Sequence, residues 1–211
     1  MSENNNNGTM IQLPEVKIDF DEESHIYTLN GYRLPSVTQL MRPLTLIAYD
    51  GVSLGAMSEA ADRGTRAHSQ VEAIVKYGVA EFDDDTEGYI TAFQVFNEAF
   101  NPKWLASEYR CYHKVLRYAG TIDLVGYVQP DDGNGVDVVD IKTTSAWHST
   151  LLTTQLSAYA EMLKSHGVKV RNRYGLQLMK DGRYRFERLE DGYKTFIHCM
   201  AIMNAMAKEN G

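Results

Sequence analysis

At 211 residues, 44% hydrophobic and 23% charged, the chain has the composition of an ordinary globular protein and is long enough for one sizeable core. Two cysteines are too few for a disulfide framework, a four-cysteine zinc site or an iron–sulfur cluster, and no apolar run approaches the roughly 18 residues of a membrane span. The N-terminus carries no basic-then-apolar signal pattern, so a cytoplasmic protein with no membrane partner is expected.

The formal charge of -7 is unevenly spread. Of 28 acids and 21 Lys and Arg, residues 1–24 hold six acids and one lysine, and residues 81–87 hold five more acids. The remainder keeps 17 acids against 20 bases, which is compatible with a local positive groove.

Along the chain, residues 1–12 are polar enough to predict a disordered tail, with one domain over 13–211. A small N-terminal β-hairpin is expected from Ile18 and Phe20, then Ile26, Tyr27 and Leu29, with Asn30-Gly31 as a turn. Ser36 can cap a short helix through Met41. Helices are predicted over 56–77, ended by Gly78, and over 87–100, where Tyr89, Phe93, Phe96 and Phe100 fall near helical spacing. Strands follow over 105–117, 120–129 and 136–142, the last two joined by the turn cluster of residues 130–135. A helix over 149–165, a hairpin of 172–180 and 183–189 turning at Asp181-Gly182, and a helix over 190–208 complete the order. This order predicts an α/β fold, a mixed central sheet with helices on both faces.

The strands 120–129 and 136–142 are apolar, yet they carry Asp123, Asp140 and Lys142. A turn centred between Asp132 and Gly133 would set Asp123 opposite Lys142, with Asp140 as its diagonal neighbour. Strand alternation then points all three to one face, beside Val125, Val136 and Val138. A slip of one residue would send Asp123 to the other side. Charges at the end of an apolar face are costly unless paired or bound to a cation. Two readings stand: a partly buried Asp–Lys ion pair, or a divalent-metal site in which two carboxylates suit Mg²⁺ and the lysine orients or deprotonates a water.

Gly120-x-x-Asp123 followed by a strand ending Asp140-Ile141-Lys142 resembles the PD-(D/E)XK nuclease superfamily, in its RecB-like and lambda-exonuclease-like branch. Companion segments occur in matching order: "RGTRAH" at 63–68, Glu108 on the preceding strand, "QLSAY" with Gln155 and Tyr159 on the following helix, and the opening "HIYTLNGYRLPSVTQLM". Together they cover about residues 18–165. The motif reads Thr-Ile-Asp, without a proline before the aspartate.

The resemblance implies a restriction-endonuclease-like fold and a DNA exonuclease using Mg²⁺ or Mn²⁺, one or two ions, in phage or prophage recombination or processing. It implies that Asp123 and Asp140 hold the metal with the Ile141 carbonyl and His68, that Glu108 is the acid of the first core strand, and that Lys142 positions or activates water. Gln155 and Tyr159 would contact the substrate strand and brace the site. Linear single- or double-stranded DNA would be the substrate. A phage single-strand-annealing or DNA-binding protein and a homo-oligomer are the implied partners, and the host cytoplasm the location.

From the residues themselves, a structural histidine, a plain core helix at Gln155 and Tyr159, and a Glu108 pair with Arg110 or Lys114 remain open. Arg66, within a scattered set including Arg63, Arg110 and Arg171, is a candidate for a strand-tracking groove, and Trp147 for base stacking. The acidic run 81–87 is expected to be a solvated loop. An endonuclease and a non-hydrolytic DNA-binding module are the rival functions.

Overall fold

In the computed structural model, residues 11–79, 81, 83–129 and 134–209 are described. The polar segment 1–10 and the turn residues 130–133 lie outside them. A small antiparallel sheet comes first, β1 (Asp19–Asp21), β2 (Ile26–Leu29) and β3 (Tyr32–Leu34), so the expected hairpin has three strands. It is tied to the main sheet where Ala119 N donates to Pro35 O at 2.9 Å and the Tyr27 hydroxyl meets Thr121 Oγ1 at 2.8 Å.

The main sheet has the order β4 (Lys103–Tyr112), β5 (Ala119–Tyr127), β6 (Val136–Lys142), β7 (Val170–Leu178), β8 (Tyr184–Arg188). Only the β6–β7 pair is parallel, and α5 (Ser149–Ser165) makes that crossover. β4 stops short of the expected residue 117 because His113 Nδ1 accepts the N–H groups of Val115 and Leu116, closing a tight loop in which Arg117 has φ 59°.

Helices cover both faces of this sheet. On one, Val125, Val136 and Val138 pack against Leu152, Leu156 and Tyr159 of α5 and Phe196 of α6 (Tyr193–Glu209). On the other, Val139, Ile141 and Leu176 pack against Val71 of α3 (Leu54–Tyr77) and Ile90, Phe93 and Phe96 of α4 (Glu87–Phe100). Burying each phenylalanine contributes roughly 1.5–3 kcal/mol, so the spacing that predicted α4 is also what anchors it. The acidic run before α4 does more than face solvent: the Asp83 carboxylate accepts the N–H groups of Asp85 and Thr86, closing the turn into the helix.

Ser36 and Gln39 form a capping box on α1 (Val37–Leu40). A helix not foreseen from the sequence follows at once, α2 (Arg42–Ala48), with Pro43 in its first turn and no buried side chain. It lacks the apolar stripe by which a helix is recognised.

The β5–β6 register differs from expectation. Leu124 pairs with Val139 and Val125 with Val138, which aligns Asp123 with Asp140 instead of Lys142. The connection is long, so turn composition does not set the register. Buried contacts do: the Asp137 carboxylate accepts Val128 N at 2.8 Å, and Val136 N donates to Lys169 O at 2.8 Å. A shift of two residues keeps every side chain on its face, and so the expected clustering of the charges survives.

Candidate functional site

An open cleft of about 1700 Å³ runs between α3, the small sheet and the C-terminal end of β6. Small-molecule pockets span about 300–1,000 Å³, so this cleft suits a polymer. His68, Glu108, Asp123, Asp140, Ile141, Lys142, Gln155 and Tyr159 all line it.

Each is placed by a different element. α3 carries His68 and can lie close to the end of β6 because residue 64 is glycine; a Cβ there would come within 3.3 Å of Thr143 Oγ1. Glu108 takes a left-handed backbone, φ 47°, in the middle of β4. Its flanking residues pair normally, Ser107 with Leu124 and Tyr109 with Ile122, so the distortion is local and falls beside Asp123. Such a conformation costs about 1–3 kcal/mol and persists where the surroundings enforce it.

Beyond the β5–β6 ladder, Asp123 Oδ2 accepts the Ile141 N–H at 2.6 Å. That bond leaves Asp123 Oδ1 facing His68 Nδ1 at 3.6 Å, while Glu108 Oε1 lies 3.5 Å from the same nitrogen. These three side chains form a candidate metal-binding group, their donor atoms all within 4.8 Å of one another. Donors about 2.1 Å from a common ion stand roughly 3 to 4.2 Å apart, so the fit needs only slight adjustment.

Asp140 is 1% exposed. Its Oδ2 is ion-paired with Lys142 Nζ at 2.7 Å, and neither of its oxygens has a well-formed hydrogen bond among the described residues. An unsatisfied buried carboxylate oxygen beside a second carboxylate is the kind of atom a cation completes. Lys142 Nζ also reaches Gln155 Oε1 at 3.4 Å, and Gln155 Nε2 donates to the buried Tyr159 hydroxyl at 2.9 Å.

The electrostatics follow from this crowding. Burial pushes the Asp140 carboxyl up to about 6 despite the pull of Lys142. Asp123 is also raised, by burial first and then by Glu108, against His68 and Lys142. Burial would lower His68, but Asp123 and Glu108 outweigh it and lift the imidazole to about 9. For Lys142, burial is likewise overcome by Asp140 and Asp123, so the ammonium form is favoured.

Two expected substrate contacts lie elsewhere. Arg66 is ion-paired to Asp62 at 3.5 Å, Asp83 at 2.6 Å and Asp85 at 3.4 Å, which fastens the acidic segment to α3. Trp147 packs edge-on over β7, where a Cβ on Gly175 would come within 2.6 Å of its ring, and the Arg185 guanidinium covers it at 4.3 Å. Neither lines the cleft. Arg63 does, and its Nε is buried without a hydrogen-bond partner among the described residues. Of the other cleft-lining Lys and Arg, Lys76 pairs with Glu72, Arg110 with Glu22 and Lys142 with Asp140. The sequence signal for Arg63 was the acidic run itself, able to claim one of two arginines three residues apart.

No protein-family model matches the sequence, and no curated protein matches it. Among solved structures, the protein SSO0001 is 14% identical over 85% of this chain and 78% of that chain, with a TM-score of 0.44. A candidate exonuclease from Eubacterium rectale is 12% identical over 69% of this chain and 66% of that one, at 0.48. The alkaline exonuclease LHK-Exo from Laribacter hongkongensis is 12% identical over 69% and 78%, at 0.36. Likenesses this distant carry no chemistry. No helix among the described residues is long and apolar enough to cross a membrane.

Proposed function

We propose that the chain is a divalent-metal-dependent DNA nuclease, an exonuclease on linear DNA serving phage or prophage recombination or processing. The observation that carries this is the buried Asp140 carboxylate beside Asp123 at the wall of a polymer-sized cleft, ion-paired with Lys142 through one oxygen and without a well-formed hydrogen bond among the described residues. His68, Glu108, Asp123 and Asp140 would hold Mg²⁺ or Mn²⁺. The bound ion would supply Lewis acidity toward a phosphoryl oxygen and an acidified water.

The remaining work belongs to the chain. Ile141 N–H fixes the Asp123 carboxylate, and Lys142 fixes that of Asp140. Lys142, kept as an ammonium, acts as a donor that orients water and offsets charge developing on the phosphate. Gln155, anchored on Tyr159, holds the lysine head in place. Arg63, with no acid of its own among the described residues, anchors a neighbouring phosphate of the substrate strand.

Incubation with linear and closed-circular DNA, each single- and double-stranded, with Mg²⁺, Mn²⁺ or EDTA, tests this reading. Loss of linear DNA alone, abolished by EDTA, is expected. Cut circles would make the chain an endonuclease, and binding without cleavage would make it a non-hydrolytic module.

A further inference from the structure

Beside Lys142 the cleft opens into a side pocket of about 120 Å³. Tyr49 and His148 form one wall, their rings 4.7 Å apart and inclined at 65°, while Met41 and Leu151 add apolar surface. Lys142 and Gln155 line it as well, so the pocket adjoins the site argued above for hydrolysis. Among the lining residues Lys142 is the one Lys or Arg, and it is already ion-paired with Asp140, which disfavours a phosphate. An apolar, aromatic wall equally disfavours a bare sugar. What remains of a nucleotide is its base, a flat heterocycle with a polar edge, for which aromatic stacking is the sequence-tolerant mode of binding.

The helix that supplies Tyr49 gives a second, independent reason. α2 ends at Ala48; Leu44 packs partly buried against the core, and no side chain of the helix is fully buried. Along another face, Met41, Thr45 and Tyr49 recur at helical spacing on one wall of this pocket, so the same helix also builds the pocket.

We infer that this pocket receives the nucleobase of one nucleotide flanking the scissile phosphate and so sets the substrate strand against Lys142. The inference rests on the nuclease reading. Its test is kcat/KM on short oligonucleotides, intact or carrying an abasic tetrahydrofuran residue at either nucleotide flanking the cleaved bond. Wild type should lose about tenfold at one of the two positions. Tyr49→Ala, which removes the wall, and Thr45→Phe, which fills the pocket, should each lose about tenfold on intact substrate and then show no further loss with the abasic one. Tyr49→Trp should keep the discrimination. Each variant is compared where its circular-dichroism spectrum matches wild type. The pocket assignment is overturned if both Tyr49→Ala and Thr45→Phe still separate intact from abasic substrate as wild type does, or if wild type does not separate them. A wild-type chain that cleaves no substrate overturns the nuclease reading instead.

Discussion

Asp137 and Asp140 lie three residues apart on β6, both sealed from solvent at 0% and 1% exposure, and the fold treats them in opposite ways. Asp137 accepts from Val128 N, from Arg171 Nε and Nη2 and from Asn172 Nδ2, all between 2.8 and 3.0 Å. Asp140 has the Lys142 ammonium 2.7 Å from one oxygen and, among the described residues, no well-formed hydrogen bond to either. A buried carboxylate whose donors are complete clips a structure together. One left incomplete beside another acid is held ready for something that is not protein.

The largest effect expected from this contrast is on chemistry. Asp140→Asn should lower cleavage by about 10³-fold or more, as should Lys142→Met, while Asp137→Asn keeps most of its activity at 20 °C. Rate measurements on linear DNA check it, and equal losses in Asp137→Asn and Asp140→Asn would erase the distinction.

Stability should move the other way. Asp137→Asn takes the carboxylate from the buried Arg171 guanidinium, and breaking such a pair costs about 3–5 kcal/mol, or roughly 10 °C in Tm. Asp140→Asn in EDTA should instead be neutral or stabilising, since it removes a charge the fold disfavours. Urea denaturation against pH sharpens this further. The folded chain holds the Asp140 proton up to about 6, against 3.8 for an ordinary carboxyl, so its contribution is present below the lower value and is lost as pH rises through the upper one. The metal-free wild type should therefore lose up to about 3 kcal/mol between pH 4 and 6 that Asp140→Asn does not.

The smallest effect separates the two arginines of α3. Arg63→Ala should raise KM for DNA about fivefold and flatten its salt dependence, whereas Arg66→Ala, already neutralised by three aspartates, should change KM by less than about twofold. Steady-state kinetics at two salt concentrations distinguish them.

The parts of this arrangement visible in the sequence are those governed by short periods. Strand alternation put Asp123, Asp140 and Lys142 on one face even though the assumed register was two residues off, because a two-residue error is silent to facing. Helical spacing likewise placed Gln155 with Tyr159. What escaped depends on distant partners. Arg66 was taken from the groove by acids 17 and 19 residues away, and Trp147 was drawn onto β7 by the missing side chain of Gly175. The left-handed turn at Glu108 has no local signature, since neither glycine nor asparagine marks it. α2 was invisible because it makes a pocket wall without burying an apolar stripe.

Calorimetric titration of Mn²⁺ into wild type, Asp137→Asn and Asp140→Asn without DNA tests most directly whether the incomplete acid cluster is a divalent-cation site. Wild type and Asp137→Asn should bind alike, with Asp140→Asn weakened by about tenfold or more. Equal binding by Asp140→Asn and wild type, or no binding by wild type, would contradict the account.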